Sequence, residues 1–138
     1  MRIVLDNNVF ISGIFWKGAP HEIIQLAEEN KIEIFTSLEI LKELFGVLKR
    51  EKFKPLFREG KTSVEEVFGR ILGLVKICTP KIEIKVIKED PPDNKFLACV
   101  ITAQASFIIS GNEHLLNLKK FKGISIISPS SFLKIIKK

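Results

Sequence analysis

The sequence contains few of the residues that build disulfide frameworks or zinc sites. Its 138 residues include two cysteines, two histidines, one methionine and one tryptophan, and tyrosine is absent. Cys78 and Cys99 lie far apart, without a C-x-x-C pair or a cysteine–histidine grouping, and His21 and His114 have no partner at ligand spacing. We therefore expect buried, reduced thiols in a cytoplasmic protein, and no zinc centre.

Long apolar runs and glycine-rich phosphate loops are also missing. No hydrophobic stretch approaches the roughly 20 residues of a membrane-spanning helix. The first residues lack the basic region and the small-residue cleavage site of a signal peptide. No G-x-G-x-x-G follows the first predicted strand, which disfavours a Rossmann-type nucleotide binder. The expectation is a cytoplasmic protein without a membrane partner.

The chain is instead apolar and basic. Hydrophobic residues make up 46% of the sequence, which predicts a packed globule rather than a disordered chain. Lysine and arginine number 22 against 16 acidic residues, giving a formal net charge of +6. This excess is compatible with a polyanionic partner, although the lysines are scattered along the sequence.

Short apolar runs alternate with amphipathic stretches. Ile3-Val4-Leu5 is continuously apolar, as in a central parallel strand that is covered on both faces. Further strands are predicted over 32–35, 107–109 and 124–127, with an edge strand or connector at Ile77 and 82–87. The predicted helices begin near Val9 and Pro20, run from Ser37 to Lys49, partly over 51–61, from Ser63 to Lys76 and from Asn94 to Ala105, and follow Asn112 and Ser128.

This alternation predicts an α/β fold, a three-layer α/β/α sandwich with a central, mainly parallel sheet, in a single domain over residues 1–138. Residues 36–39 have the S/T-x-x-E form of a capping box. The predicted buried face of the following helix is Leu38, Leu41, Leu44, Phe45 and Leu48, and that of the helix from Ser63 is Val64, Val67, Phe68, Ile71, Leu72 and Val75.

Four polar residues lie where ligands collect in open α/β sheets, beyond the carboxyl ends of the strands. Asp6 and Asn112 follow predicted strands, and Asp93 opens a helix after the break at 90–92. Glu43 lies about two turns into its helix and can lean over the same edge. Simpler roles remain open, because Asp6, Asp93 and Asn112 are good helix caps and a lone helical glutamate usually faces solvent.

Electrostatics indicates what a cluster of these acids would need. Two carboxylates ~4 Å apart repel by roughly 4 kcal/mol at an effective dielectric constant of 20. Three of them require a cation or raised pKa values. Oxygen ligands favour Mg²⁺ or Mn²⁺ over zinc, and such ions activate water and stabilise phosphoryl charge. A basic protein with this pocket is suited to phosphodiester cleavage.

Four stretches, residues 3–12, 37–44, 90–98 and 105–116, carry a family resemblance that covers nearly the whole chain. Their key positions, Asp6, Glu43, Asp93 and Asn112, are separated by 37, 50 and 19 residues. In this order they resemble the PIN-domain family, which includes the VapC-like toxins of prokaryotic toxin–antitoxin systems. The resemblance implies a Mg²⁺- or Mn²⁺-dependent endoribonuclease acting on single-stranded or structured RNA, with an antitoxin protein and a second copy of the chain as partners.

The resemblance also implies roles for individual residues. Asp6, Glu43 and Asp93 map onto the metal-binding acids, and Asn112 maps onto the fourth catalytic position. Around them, Asn8 is implied to orient the first Asp or a metal-bound water, and Ser110 to be a small hydroxyl near the metal.

The chain departs from the family at two positions. Asn112 stands where most relatives carry Asp, and Asn7 replaces the Thr of the family's Asp-Thr-Asn. Because Asn112 brings no charge, a catalytically impaired PIN relative that binds RNA or acts in regulation is the alternative function. A phosphohydrolase of the haloacid-dehalogenase type would require an Asp-x-Asp motif after the first strand. This chain has Asn8 at the position of the second Asp, which disfavours that class.

Overall fold

The central strand forms where the sequence is continuously apolar. The computed structural model describes residues 1–80 and 94–137. Strand β1, Arg2–Leu5, has Ile3, Val4 and Leu5 fully buried. Ile3 and Leu5 belong to the core on one face of the sheet and Val4 to the core on the other, as the two-residue period of a strand requires. Burying each of these side chains contributes about 1.5–3 kcal/mol.

Six strands in the described part of the chain form one sheet in the order β3-β2-β1-β4-β6-β5. The other five strands are β2, Glu33–Ser37; β3, Val75–Cys78; β4, Phe107–Ile109; β5, Lys120–Phe121; and β6, Ile124–Ile127. All neighbouring strands are parallel except β5 and β6, which are antiparallel. The carboxyl ends of β2, β1 and β4 therefore lie side by side.

Helices cover both faces of this sheet. They are α1, Asn7–Phe15; α2, Ala19–Glu28; α3, Leu38–Leu48; α4, Lys54–Glu59, after a 3₁₀ turn at Glu51–Phe53; α5, Val64–Leu74; α6, Asn94–Ala103; α7, Glu113–Leu116; and α8, Pro129–Ile136. Side chains of α1, α2, α5 and α8 share the core that contains Ile3, and those of α6 and α7 share the core that contains Val4. The predicted three-layer α/β/α arrangement is confirmed. In residues 1–80 and 94–137, no helix has the length and apolar character needed to span a bilayer.

Serine side chains determine where several helices begin. Ser37, Ser63 and Ser128 accept hydrogen bonds from the backbone N–H groups three residues ahead, so each caps its helix. The cap of α3 is therefore Ser37, one residue after the predicted Thr36, and Ile40 three residues later has no carboxylate to complete a capping box. Thr36 remains in β2, and its buried hydroxyl has no hydrogen-bond partner among the described residues.

Three predictions near the β3 edge are wrong. The helix predicted to reach Lys76 ends at Leu74, because Val75 and Lys76 pair with β2 as the start of β3. Leu38 and Leu72, predicted to be buried, are 60% and 42% exposed. Both lie near the last strand of the sheet, where the apolar stripes extend beyond what the sheet covers. The short strand β5 is not predicted.

Three expectations concern residues that the structure does not describe. They are the extended segment over 82–87, the break at 90–92 and the helix cap at Asp93.

Candidate active site

Asp6 lies at the carboxyl end of β1, where it caps α1. Its Oδ1 accepts a hydrogen bond from the Val9 N–H at 3.0 Å, and the residue is only 4% exposed. Burial raises the pKa of the Asp6 carboxyl above its ordinary value, although hydrogen bonds from the Ser110 hydroxyl and from backbone N–H groups oppose this shift. Both the capping role and the functional role foreseen for Asp6 are therefore compatible with its position.

Ser110 connects Asp6 to the predicted fourth catalytic position. It follows β4, the neighbour of β1, and is fully buried. Its hydroxyl donates to Asp6 Oδ2 and accepts from the Asn112 N–H at 2.8 Å. The Asn112 Oδ1 accepts from the His114 N–H at 2.7 Å and so caps α7. Asp6, Ser110 and Asn112 thus form one hydrogen-bonded group, in which the Asn112 side chain is a helix cap.

Glu43 lies on α3 and is connected to Asp6 only through Asn7 in the contacts of the described residues. Its Oε1 accepts a hydrogen bond from Asn7 Nδ2 at 3.1 Å, and its Oε2 accepts one from Lys95 Nζ at 2.6 Å. Asn7 Nδ2 also donates to the Ile40 carbonyl at 3.2 Å. Because Asn7 directly follows Asp6, the backbone and one hydrogen bond link the two predicted acidic ligands.

Asn7 and Lys95 are site residues that the sequence patterns do not predict. Asn7 is 5% exposed, and the Lys95 side chain is 5% exposed, whereas that of Glu43 is 40% exposed. The sequence signal for Asn7 was its departure from the family's Thr. For Lys95 the signal was its position two residues after Asp93, in the third family stretch.

The catalytic, metal-binding and orienting roles predicted for the site residues all stay predictions, those of Asn8 and Asp93 included. Asn8 is exposed in the first turn of α1, and its backbone N–H contributes a hydrogen bond to the Asp6 carboxylate. Its expected role in orienting Asp6 or a metal-bound water stays a prediction. Asp93 lies outside the described residues.

The donors present fit a hard divalent cation. Asp6 and Glu43 supply carboxylate oxygens, and the buried Asn7 Oδ1 has no hydrogen-bond partner in the described part of the chain. Across residues 1–80 and 94–137, no three His, Cys, Asp or Glu side chains are grouped so that they could hold a metal ion. Two carboxylates still suffice for Mg²⁺, which retains several water ligands in proteins.

Comparisons with known proteins place the chain in a family. A PIN domain family model matches residues 2–114. The chain is 32% identical over 121 residues to the uncharacterized protein MJ1680 of Methanocaldococcus jannaschii, a match that covers 86% of this chain and 76% of that protein. The chain belongs to the PIN-domain family, whose members are generally nucleases that use divalent metal ions.

The fold is similar to a solved VapBC structure. That structure is VapBC2 from Rickettsia felis bound to a DNA fragment from their promoter, with a TM-score of 0.62 and 15% identity. The match covers 91% of this chain and 97% of that chain. The VapC-like α/β fold implied by the resemblance is therefore confirmed.

Proposed function

We propose that this protein is a metal-dependent endoribonuclease and the toxin of a toxin–antitoxin pair. The observation that carries the proposal is the buried Asp6 carboxylate at the end of β1, which accepts a hydrogen bond from Ser110. The next residue, Asn7, donates a hydrogen bond to Glu43. Family membership supports nuclease chemistry, and the net charge of +6 supports a polyanionic substrate such as RNA. The similarity to VapBC2 supports an antitoxin partner.

In this proposal Asp6, Glu43 and Asp93 hold one Mg²⁺ or Mn²⁺ ion. When bound, the ion lowers the pKa of a water and neutralises charge that develops on the phosphate. The protein's own contribution is orientation: the Val9 N–H and the Ser110 hydroxyl fix the carboxylate of Asp6. Buried hydrogen bonds of this kind hold a ligand in place before the ion arrives.

Glu43 is oriented from two sides. Asn7 on α1 holds one carboxylate oxygen, and Lys95 on α6 holds the other. The ammonium group of Lys95 also compensates the charge of Glu43 when no divalent ion is present. Lys95 is therefore proposed as a positioning residue rather than a ligand.

The homodimer remains a proposal. Phe15, the last residue of α1, and its C-cap Trp16 are the candidates for a contact with a second copy. The Phe15 ring lies 5.3 Å from that of Phe57 and 6.4 Å from that of Phe53, so it packs within its own chain. Trp16 is 50% exposed. Of the two, Trp16 is therefore the residue that can contact a second copy.

The testing experiment is cleavage of a mixed-sequence single-stranded RNA with Mg²⁺ or Mn²⁺. Asp6→Asn is the informative variant, because asparagine also caps helices and the fold should survive. Glu65→Gln, which removes an exposed carboxylate on α5, is the matched control. We expect cleavage by the wild type and by Glu65→Gln, and none by Asp6→Asn or in EDTA. Undiminished cleavage by Asp6→Asn would refute the proposal.

The second candidate is an impaired PIN relative that binds RNA without cutting it. It is favoured by Asn112, which is uncharged and whose Oδ1 is used to cap α7. This candidate predicts RNA binding that survives EDTA, with no cleavage. Asn112→Asp separates the two, because aspartate caps the helix equally well and adds the missing charge. Cleavage that appears only in Asn112→Asp would establish the impaired relative.

A further inference from the structure

The two cysteines, distant in sequence, lie against each other in the fold. Cys78 is the last residue of β3 and Cys99 is in α6, and their Sγ atoms are 3.4 Å apart. The Cys78 Sγ also lies 3.8 Å from the Cys99 carbonyl oxygen. Both are free thiols, and the chain contains no other cysteine. Any internal disulfide must therefore join this pair.

We propose that Cys78 and Cys99 are a modification site at which an intramolecular disulfide fastens strand β3 to helix α6. A disulfide holds its sulfurs about 2.05 Å apart, so the Sγ atoms must approach by roughly 1.4 Å. Side-chain rotation with a small shift of the edge strand can supply this movement, since β3 is the last strand of the described sheet. The reduced thiols expected from the sequence are then one of two states.

The two thiols have different access to solvent. Cys78 is partly exposed and lines a surface cavity of about 230 Å³ together with Pro80 and Lys95. Cys99 is fully buried, and this burial raises the pKa of its thiol, an effect to which the neighbouring Cys78 adds. An oxidant therefore meets Cys78 first, because thiol exchange requires an accessible thiolate.

The oxidant is a low-molecular-weight disulfide. The Cys78 thiolate attacks one of its sulfurs, which breaks the oxidant's S–S bond, releases one thiolate and leaves a mixed disulfide on Cys78. The Cys99 thiol loses its proton and attacks the Cys78 sulfur, which forms the internal S–S bond and releases the second thiolate. Two protein thiols are oxidised, one disulfide is reduced, and both protons end on the released thiols.

The cross-link would act on the element that carries Lys95. Lys95 precedes Cys99 by one helical turn, so both lie on the same side of α6. The geometry of the cysteine pair is independent of the proposed ribonuclease function, and the proposal is tested without an activity assay.

The test is oxidation of the purified wild-type protein with oxidised glutathione, followed by alkylation under denaturing conditions and intact-mass analysis. We expect a product that is lighter than the reduced protein by two hydrogen atoms and takes up no alkyl group. Cys78→Ser, altered at the partly exposed position, is the control and should keep one alkylatable thiol. A product with glutathione retained on Cys78, a cross-linked dimer, or two thiols that stay alkylatable would each overturn the proposal.

Thermal unfolding provides a second readout. The cysteines are 21 positions apart in the sequence, and closing a loop of this size should raise the melting temperature on the order of 10 °C. The shift should be independent of protein concentration, reversed by a reducing thiol and absent in Cys78→Ser. An oxidised monomer that melts at the same temperature as the reduced one would overturn the proposal that a disulfide cross-links β3 and α6.

Discussion

Replacement of Lys95 by methionine should weaken the metal-free protein more than the metal-loaded one. Methionine retains most of the apolar stem of Lys95 but removes the ammonium group that lies 2.6 Å from Glu43 Oε2. Breaking a fully buried ion pair costs about 3–5 kcal/mol, and exposed pairs contribute about 0–1 kcal/mol. Because Glu43 is 40% exposed, water replaces part of the lost contact, and we expect about 1–2 kcal/mol.

This loss translates into a measurable change of melting temperature. With an unfolding entropy of roughly 2.1 cal/mol/K per residue, a chain of 138 residues should melt about 3–7 °C lower in EDTA. In saturating Mn²⁺ the ion supplies the positive charge that Lys95 gave, so the difference from the wild type should fall to less than half.

The assay is thermal unfolding followed by circular dichroism, in EDTA and in excess Mn²⁺. Lys134→Met, which removes an exposed lysine on α8, is the control and should melt close to the wild type in both conditions. Equal melting of Lys95→Met and wild type in EDTA would refute the ion-pair argument. A loss that is unchanged in saturating Mn²⁺ would refute the charge compensation.

Three further predictions concern the buried network and the helix packing. In EDTA at neutral pH, Asp6→Asn should be more stable than the wild type, because burial raises the Asp6 pKa and the ionised form therefore weakens the fold. The protonated Asp6 side chain stabilises the wild type fully at low pH, and this contribution is lost as the pH rises through the raised pKa. The difference in melting temperature between the wild type and Asp6→Asn should therefore vanish on acidification. Ser110→Ala should cost about 1–3 kcal/mol in urea unfolding, since it removes a buried donor to Asp6. Gly13→Ala should cost about 1–3 kcal/mol, because its Cβ would lie 2.8 Å from the Pro20 carbonyl oxygen, whereas Gly69→Ala, with open space around it in α5, should gain about 0.5–1 kcal/mol.

The central strand of the sheet could be predicted because the sequence of β1 is apolar without interruption. Ile3, Val4 and Leu5 are apolar at consecutive positions, and a strand that is covered on both faces buries all three. Ser128 followed by Pro129 marked a helix start that the structure confirms. These signals are local, and the fold agrees with them.

The errors arise where long-range pairing overrides a local pattern. Val75 continues the helical stripe of α5, but pairing with Ile34 of β2 draws it into β3. Leu38 satisfies helical spacing, yet it lies at the first position of α3 near the sheet edge and is 60% exposed. Periodicity identifies an apolar face but not how far the neighbouring layer extends.

The sequence could point to Asp6 and Glu43 but not to the residues that hydrogen-bond with Glu43. Asp6 stood out because it follows a predicted strand, and Glu43 because it lies about two turns into the helix after the next strand. Asn7 and Lys95 were not predicted, since only the fold shows that both donate to Glu43, across 36 and 52 positions of sequence. Ser110 was foreseen as a hydroxyl near the metal, and the structure shows its bond to Asp6.

The most direct test of the central claim is a crystal of the wild-type protein soaked in Mn²⁺ and measured for anomalous scattering. The account predicts a manganese peak within bonding distance of carboxylate oxygens of both Asp6 and Glu43, and no such peak in Asp6→Asn crystals. A manganese peak away from Asp6 and Glu43 in a protein that cleaves RNA would contradict the account. So would a peak at these residues that is unchanged in Asp6→Asn crystals.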